Sequence, residues 1–177
     1  MKWKNYAFSC FVLIAGLALW LTIAAFNNLT DPHTNRQLLA HTLTMRLISD
    51  ENNLGMGLVW RALPESFVPV LLYIVVAIQA SVSIMLWRAA FLYFNAFRYV
   101  SLDRLERARD FGILALTGFQ FIWLSFICGG LWLGYWLKQG AVQSVHLMLI
   151  IIGVGMLLYV ANSSIFFLTQ SDGEGEI

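Results

Sequence analysis

The sequence predicts an all-α membrane protein: a four-transmembrane-helix bundle with a long, partly helical first extracytoplasmic loop and both termini in the cytoplasm. Three observations predict it. Hydrophobic residues fill 59% of the 177 positions and charged residues only 12%, against roughly a quarter charged in a soluble domain. A chain this short has too little interior to hide that much apolar surface, so a bilayer is its favourable solvent. The apolar residues fall into four uncharged runs, 6–26, 67–87, 111–136 and 147–169. Finally, Lys2, Lys4, Arg88, Arg98, Arg104, Arg107 and Arg109 fall in the N-terminal tail and segment 88–110, whereas only Arg36, Arg46, Arg61 and Lys138 fall in the other links. The positive-inside rule then puts loop 27–64 outside and loop 88–110 and the tail 170–177 in the cytoplasm. The length predicts a single integral membrane domain, 1–177.

The first run is long enough, at about 1.5 Å per residue, to cross a hydrocarbon layer of about 30 Å. A basic start before an apolar run also marks a cleaved signal peptide. This run is long for that, and Ile23-Ala24-Ala25-Phe26 is a poor cleavage motif, so a retained helix is expected. Within 27–64, Asp31-Pro32 reads as an N-cap followed by proline at the first helical position. Asp50-Glu51-Asn52-Asn53-Leu54-Gly55 reads as a turn, with a short helix before Pro64. Trp60 and Arg61 suit a membrane interface, the guanidinium reaching for phosphate or a carboxylate. Asn28-Leu29-Thr30 is a glycosylation sequon, read here as turn and cap chemistry.

Pro69 sits in the first turn of the second run, where its missing N–H costs little. Segment 88–110 reads as a solvated continuation of that helix plus a turn. Asp103 and Arg107 form one attractive i, i+4 pair, and Glu106 and Asp110 one repulsive pair. The third run contains Gly130-Leu131-Trp132-Leu133-Gly134, a G-x-x-x-G spacing expected to let helix backbones approach. A short link, 138–146, leads to the fourth run, where Gly153 and Gly155 are candidate packing points. The acidic tail 170–177 has the composition of a disordered segment. Cys10 and Cys128 both fall inside apolar runs and read as small buried hydrophobes without a disulfide.

Two sets of residues are candidates for a site. The loop set is Asn27, Asn28, Asp31, Asn35, His41, Trp60 and Arg61. The other is an intramembrane polar layer of Gln79, Gln120 and Asn162, each about 10–14 Å from the cytoplasmic end of its run. Amides in lipid need partners, so this layer is either an interhelical packing device or a polar pocket for a quinone or other small ligand. No acidic or basic side chain lies within the runs, which leaves a proton or ion relay unsupported. His33, His41 and His146 map to the outer side, but no H-x-x-x-H or H-E-x-x-H spacing occurs. No run carries a central histidine for haem. No metal, cofactor or catalytic residue is therefore assigned. The net charge of +1 makes no case for nucleic acid.

Asn27-Asn28-Leu29-Thr30-Asp31, Asn35, the stretch from His41 to Met45, and Trp60-Arg61-Ala62 resemble an uncharacterised bacterial family of predicted small integral membrane proteins. The likeness covers most of the chain. It implies four spans, a long first loop, an inner-membrane location and no established activity. The family pattern has an acidic residue after the loop methionine; Arg46 stands there in this chain, so no role for that acid carries over. Gly57-Leu58-Val59-Trp60 also resembles the loop motif of claudin-type proteins, but that motif comes with a cysteine pair and this loop has none. The expectation is a non-enzymatic accessory or structural subunit of a membrane assembly, partnered by the lipid bilayer and by another membrane protein or a second copy. A redox- or quinone-associated subunit is the alternative. A small-solute transporter is less supported, because internal repeats are not visible.

Overall fold

The computed structural model describes residues 2–51 and 53–162. The acidic tail and the end of the fourth apolar run lie outside the described residues. Among the described residues every regular element is helical: α1 (Lys2–Thr30), α2 (Pro32–Leu43), α3 (Arg46–Ser49), a 3₁₀ turn Met56–Arg61, α4 (Phe67–Tyr99), α5 (Leu102–Trp132), a 3₁₀ turn Tyr135–Leu137 and α6 (Gly140–Ala161). Four helices, α1, α4, α5 and α6, are long and apolar enough to cross a membrane. Only 22% to 39% of each apolar window is buried. The remaining apolar side chains, such as Ile84, Phe91, Ile151 and Leu158, face outward. That much exposed hydrocarbon suits lipid and would drive association in water.

The chain divides into two compact units, each containing part of every long helix. The first comprises the described residues of Met1–Trp20, Val82–Phe119 and Ile152–Ile177. Its core interleaves short side chains with large ones such as Ile14, Leu86, Tyr93, Leu116 and Phe119, all fully buried. Ala7, Cys10 and Ala18 of α1, Ala89, Ala90 and Ala96 of α4, and Ala108 and Ala115 of α5 are at most 1% exposed. Small residues let helices approach closely where no hydrophobic force separates helix from lipid. Hydroxyls are tied to backbone carbonyls: Tyr6 donates to Val160 O at 3.0 Å and Ser83 to Ala18 O at 3.2 Å.

The first turns of α1 pack on the far end of α4. Phe8 meets Phe97 at 5.2 Å, Phe11 meets Phe94 at 5.3 Å, and Lys4 sits 5.0 Å from the Phe97 ring. Those partners lie beyond the second apolar run, so runs 6–26 and 67–87 are offset along the helices rather than level. Segment 88–110 is helix up to Tyr99 and again from Leu102. Val100, in the left-handed region at φ 52, makes the turn with Ser101.

The second unit comprises Leu21–Ser81 and Gln120–Ile151. Here α1 stops short. Asn28, in its last turn, is bonded to Gln79, which lies about 18 Å along α4 from its first residue. The early turns of α4 thus run on past the end of α1. Asp31 turns the chain: its carboxylate accepts from the Thr34 N–H at 3.4 Å and from the Thr34 hydroxyl at 2.7 Å, with Pro32 opening α2. α2, α3 and the following 3₁₀ turn fold back as a helical cover. Its apolar core joins Ala40, Leu43, Met45 and Ile48 to Val68 of α4 and to Leu133. The Leu63 N–H donates to Leu43 O at 2.8 Å, Arg46 pairs with Glu65 at 2.7 Å, and Lys138 pairs with Glu51.

Three local expectations are corrected. The Gly130–Gly134 pair does not form a helix–helix seam, because α5 ends at Trp132. Gly134 takes φ 67 to leave the helix, and a Cβ on Gly130 would lie 2.6 Å from the Tyr135 ring that packs there. Cys10 is buried, but Cys128 of α5 is exposed. The Asn28 side chain does not cap a turn; it reaches across to α4.

Candidate functional site

The shortfall of α1 leaves a cavity of about 520 Å³ beside the cover, walled entirely by the second unit. Pockets for small ligands span roughly 300–1,000 Å³. α1 contributes Ala24, Asn27 and Asn28 to the walls, and α2 contributes Asn35, Leu38, Leu39, Thr42 and Leu43. Leu71, Leu72, Val75 and Gln79 come from α4, and Trp123, Ser125, Phe126, Gly129 and Gly130 from α5. Leu133, Tyr135 and Gln139 of the linker and Val142 and His146 of α6 complete it. Asn27 and Leu38 are exposed, whereas Gln79, Trp123, Tyr135 and Gln139 are buried, so the cavity runs inward from the surface.

Its polar groups are amides, hydroxyls, one imidazole and the Trp123 indole; no Asp, Glu, Lys or Arg is among the lining residues. Asn28 Nδ2 donates to Gln79 Oε1 at 2.8 Å. The Thr42 hydroxyl donates to Gln139 Oε1 at 2.6 Å, and Gln139 Nε2 donates to Leu38 O at 3.4 Å, which ties the linker to α2. His146 lies in an aromatic cluster: Phe126 at 5.1 Å, Trp123 at 5.7 Å, and Tyr135 stacked at 6.1 Å and 20°. The Tyr135 hydroxyl and His146 Nδ1 are buried without a hydrogen-bond partner. Burial pushes the Tyr135 phenol above its ordinary pKa, which keeps it a neutral donor.

The structure brings together part of the expected loop set. Asn27, Asn28 and Asn35 line the cavity with Gln79. Asp31 is exposed and serves as the N-cap of α2; its hydrogen bonds from Thr34 hold its carboxyl below the usual carboxylate range. His41 is partly buried on α2 but is not a lining residue. Trp60 and Arg61 form a clamp on the end of α5. The Arg61 guanidinium lies 4.2 Å from the Trp132 ring and 5.2 Å from that of Trp60, and Nη1 donates to Trp132 O at 3.1 Å.

The three amides of the polar layer have separate environments. Gln79 pairs with Asn28, and Gln120 Nε2 donates to Ile150 O at 3.0 Å. Asn162 is exposed just past the end of α6. Among the described residues no group of three or more His, Cys, Asp or Glu is placed to hold a metal.

Thr42, Trp123, Tyr135 and Gln139 were not singled out by the sequence. One signal for Thr42 exists: Asn35, Leu38, Leu39 and Thr42 follow the i, i+3, i+4, i+7 pattern of a single helix face. The other three come from remote segments with no local mark.

Among known proteins, residues 7–163 match the family model described as predicted small integral membrane protein (DUF2165). No curated protein and no solved structure matches the chain. The matched region takes in α1 from Ala7 onward, the other three long apolar helices, the cover and every cavity residue, and the chain belongs to this family of predicted small integral membrane proteins.

Proposed function

We propose that the protein is a non-enzymatic accessory subunit of a bacterial inner-membrane assembly, and that it holds a small, uncharged, membrane-soluble ligand in the cavity of its second unit. The observation that carries this reading is the cavity wall. Amides from α1, α2 and α4 converge on a space otherwise lined by aliphatic and aromatic side chains, with no ionised lining residue. Such a site suits a neutral polar head on an apolar body. A charged guest would lose its hydration there without gaining a counter-charge. The distribution of Lys and Arg supports termini in the cytoplasm and the cover on the periplasmic side.

Native mass spectrometry of the protein, released from its own membranes in mild detergent, tests the reading. The expected spectrum shows a neutral small molecule and a membrane-protein partner retained together. A ligand-free, partner-free protein contradicts it. Orientation has its own test. A thiol introduced by Ser49→Cys should react with an impermeant reagent from the periplasmic side; reaction only after the inner membrane is opened overturns the assigned sidedness.

A further inference from the structure

We propose that the ligand is a membrane quinone, whose planar ring stacks in the cavity and whose carbonyl oxygens accept hydrogen bonds from Gln79 and from the Tyr135–His146 wall. This rests on the ligand-holding reading above and narrows it to one chemical class.

Gln79 provides the first argument. It is 4% exposed, and its Oε1 is already occupied by Asn28 Nδ2 at 2.8 Å. With the amides so oriented, Nε2 is the donor that Gln79 has left to offer. A carbonyl oxygen is the complement of that donor. The second argument is that Tyr135 and His146, two further lining residues, each carry an unpaired polar atom. The Tyr135 hydroxyl and His146 Nδ1 are both buried and unpartnered. Buried polar groups in folded proteins almost always have a partner, and both residues line the cavity, so a small side-chain shift would let a guest supply one. A ring with two carbonyls offers an acceptor to more than one of these donors.

The third argument is shape. Phe126, His146 and Tyr135 already form a run of rings, with His146 and Tyr135 within 20° of parallel. An added planar ring extends that run by offset stacking. Charge supplies the fourth. A phosphate-bearing lipid head would be buried among amides with no cation in the wall, whereas a quinone carries no charge. The inference concerns binding and assigns no electron or proton step.

The test uses the full chain in phosphatidylcholine liposomes, with tryptophan fluorescence titrated by decylubiquinone and, separately, by didecanoylglycerol, a neutral amphiphile without a ring. Trp123 lies in the cavity wall and reports occupancy. The expected result is saturable quenching by decylubiquinone that Trp123→Phe removes and that didecanoylglycerol does not compete away. Gln79→Met should weaken the binding about three- to tenfold, the size of one lost neutral hydrogen bond.

Gly129→Phe keeps the test open if Gln79→Met fails to fold. A Cβ at Gly129 meets no heavy atom within 4 Å, so the new ring enters open space at the cavity wall, and binding should be lost. Equal competition by didecanoylglycerol overturns the quinone assignment and leaves the ligand-holding reading standing. Unsaturable quenching by decylubiquinone, with no competition and no effect of Gly129→Phe, overturns both.

Discussion

The two units of the chain solve the same packing problem in different ways. The first packs alanines and one buried cysteine between large buried side chains, and the Tyr6 and Ser83 hydroxyls bond backbone carbonyls of neighbouring helices. The second is left open: α1 ends early, a helical cover folds over the overhanging turns of α4, and a cavity with uncharged polar walls remains. Close packing of small residues holds spanning helices together. The proposed ligand site lies in the second unit, where the polar residues of the cavity wall gather.

The largest effect expected from this contrast is at Met45. It is 1% exposed in the core of the cover. Met45→Ala should cost about 2–5 kcal/mol of local stability. Hydrogen exchange should show α2 losing protection while 82–119 keeps it; equal loosening of both would mean that the units are not separable. Glycine substitutions sharpen the same contrast. A Cβ on Gly112 lies 3.1 Å from the Tyr93 ring and 3.7 Å from Ile14. Gly112→Leu should therefore cost about 1–3 kcal/mol by overpacking. Gly129→Leu, facing open space, should stay within about 0.5 kcal/mol of wild type. Thermal unfolding in one detergent compares them directly, and equal losses would refute the open–closed distinction.

Smaller effects belong to the ties of the cover. The Arg46–Glu65 pair is largely exposed, with side-chain accessibilities of 49% and 63%. Arg46→Ala should cost under about 1 kcal/mol, less still in high salt. The smallest effect is at Asp31. Its carboxyl is held below the usual range by the Thr34 hydroxyl and backbone N–H. A depressed carboxylate stabilises the fold above its unfolded pKa of about 3.9, and that contribution is lost as pH falls through the folded value. Protection factors of amides at the start of α2, which are referenced to the unfolded chain's own pH-dependent exchange, should thus be flat from pH 5 to 8 and fall on acidification below about 4. Asp31→Asn should remove that acid step.

Much of the fold was legible because lipid imposes one simple demand. Four uncharged runs of spanning length mark four helices, and Asp31-Pro32 marks the start of α2 by local capping chemistry alone. What escaped depends on contacts between distant segments. The sequence cannot show that run 6–26 pairs with α4 around Phe94 and Phe97, because each run was bounded by its own polar flanks. The Asn28–Gln79 and Thr42–Gln139 bonds join residues 51 and 97 positions apart. The asparagines of the site were visible as polar residues at the edge of a span. Tyr135 was not, since its role follows from the early end of α5 and its packing on Gly130.

The central claim is that the cavity holds an uncharged guest. A density map of the protein in lipid nanodiscs, prepared without added ligand from its own membranes, tests it most directly. The account predicts continuous non-protein density between α1, α2, α4 and α5, reaching the Gln79 amide. A cavity filled by ordered water alone, or closed by α2 packing directly onto Leu72 and Val75, would contradict it.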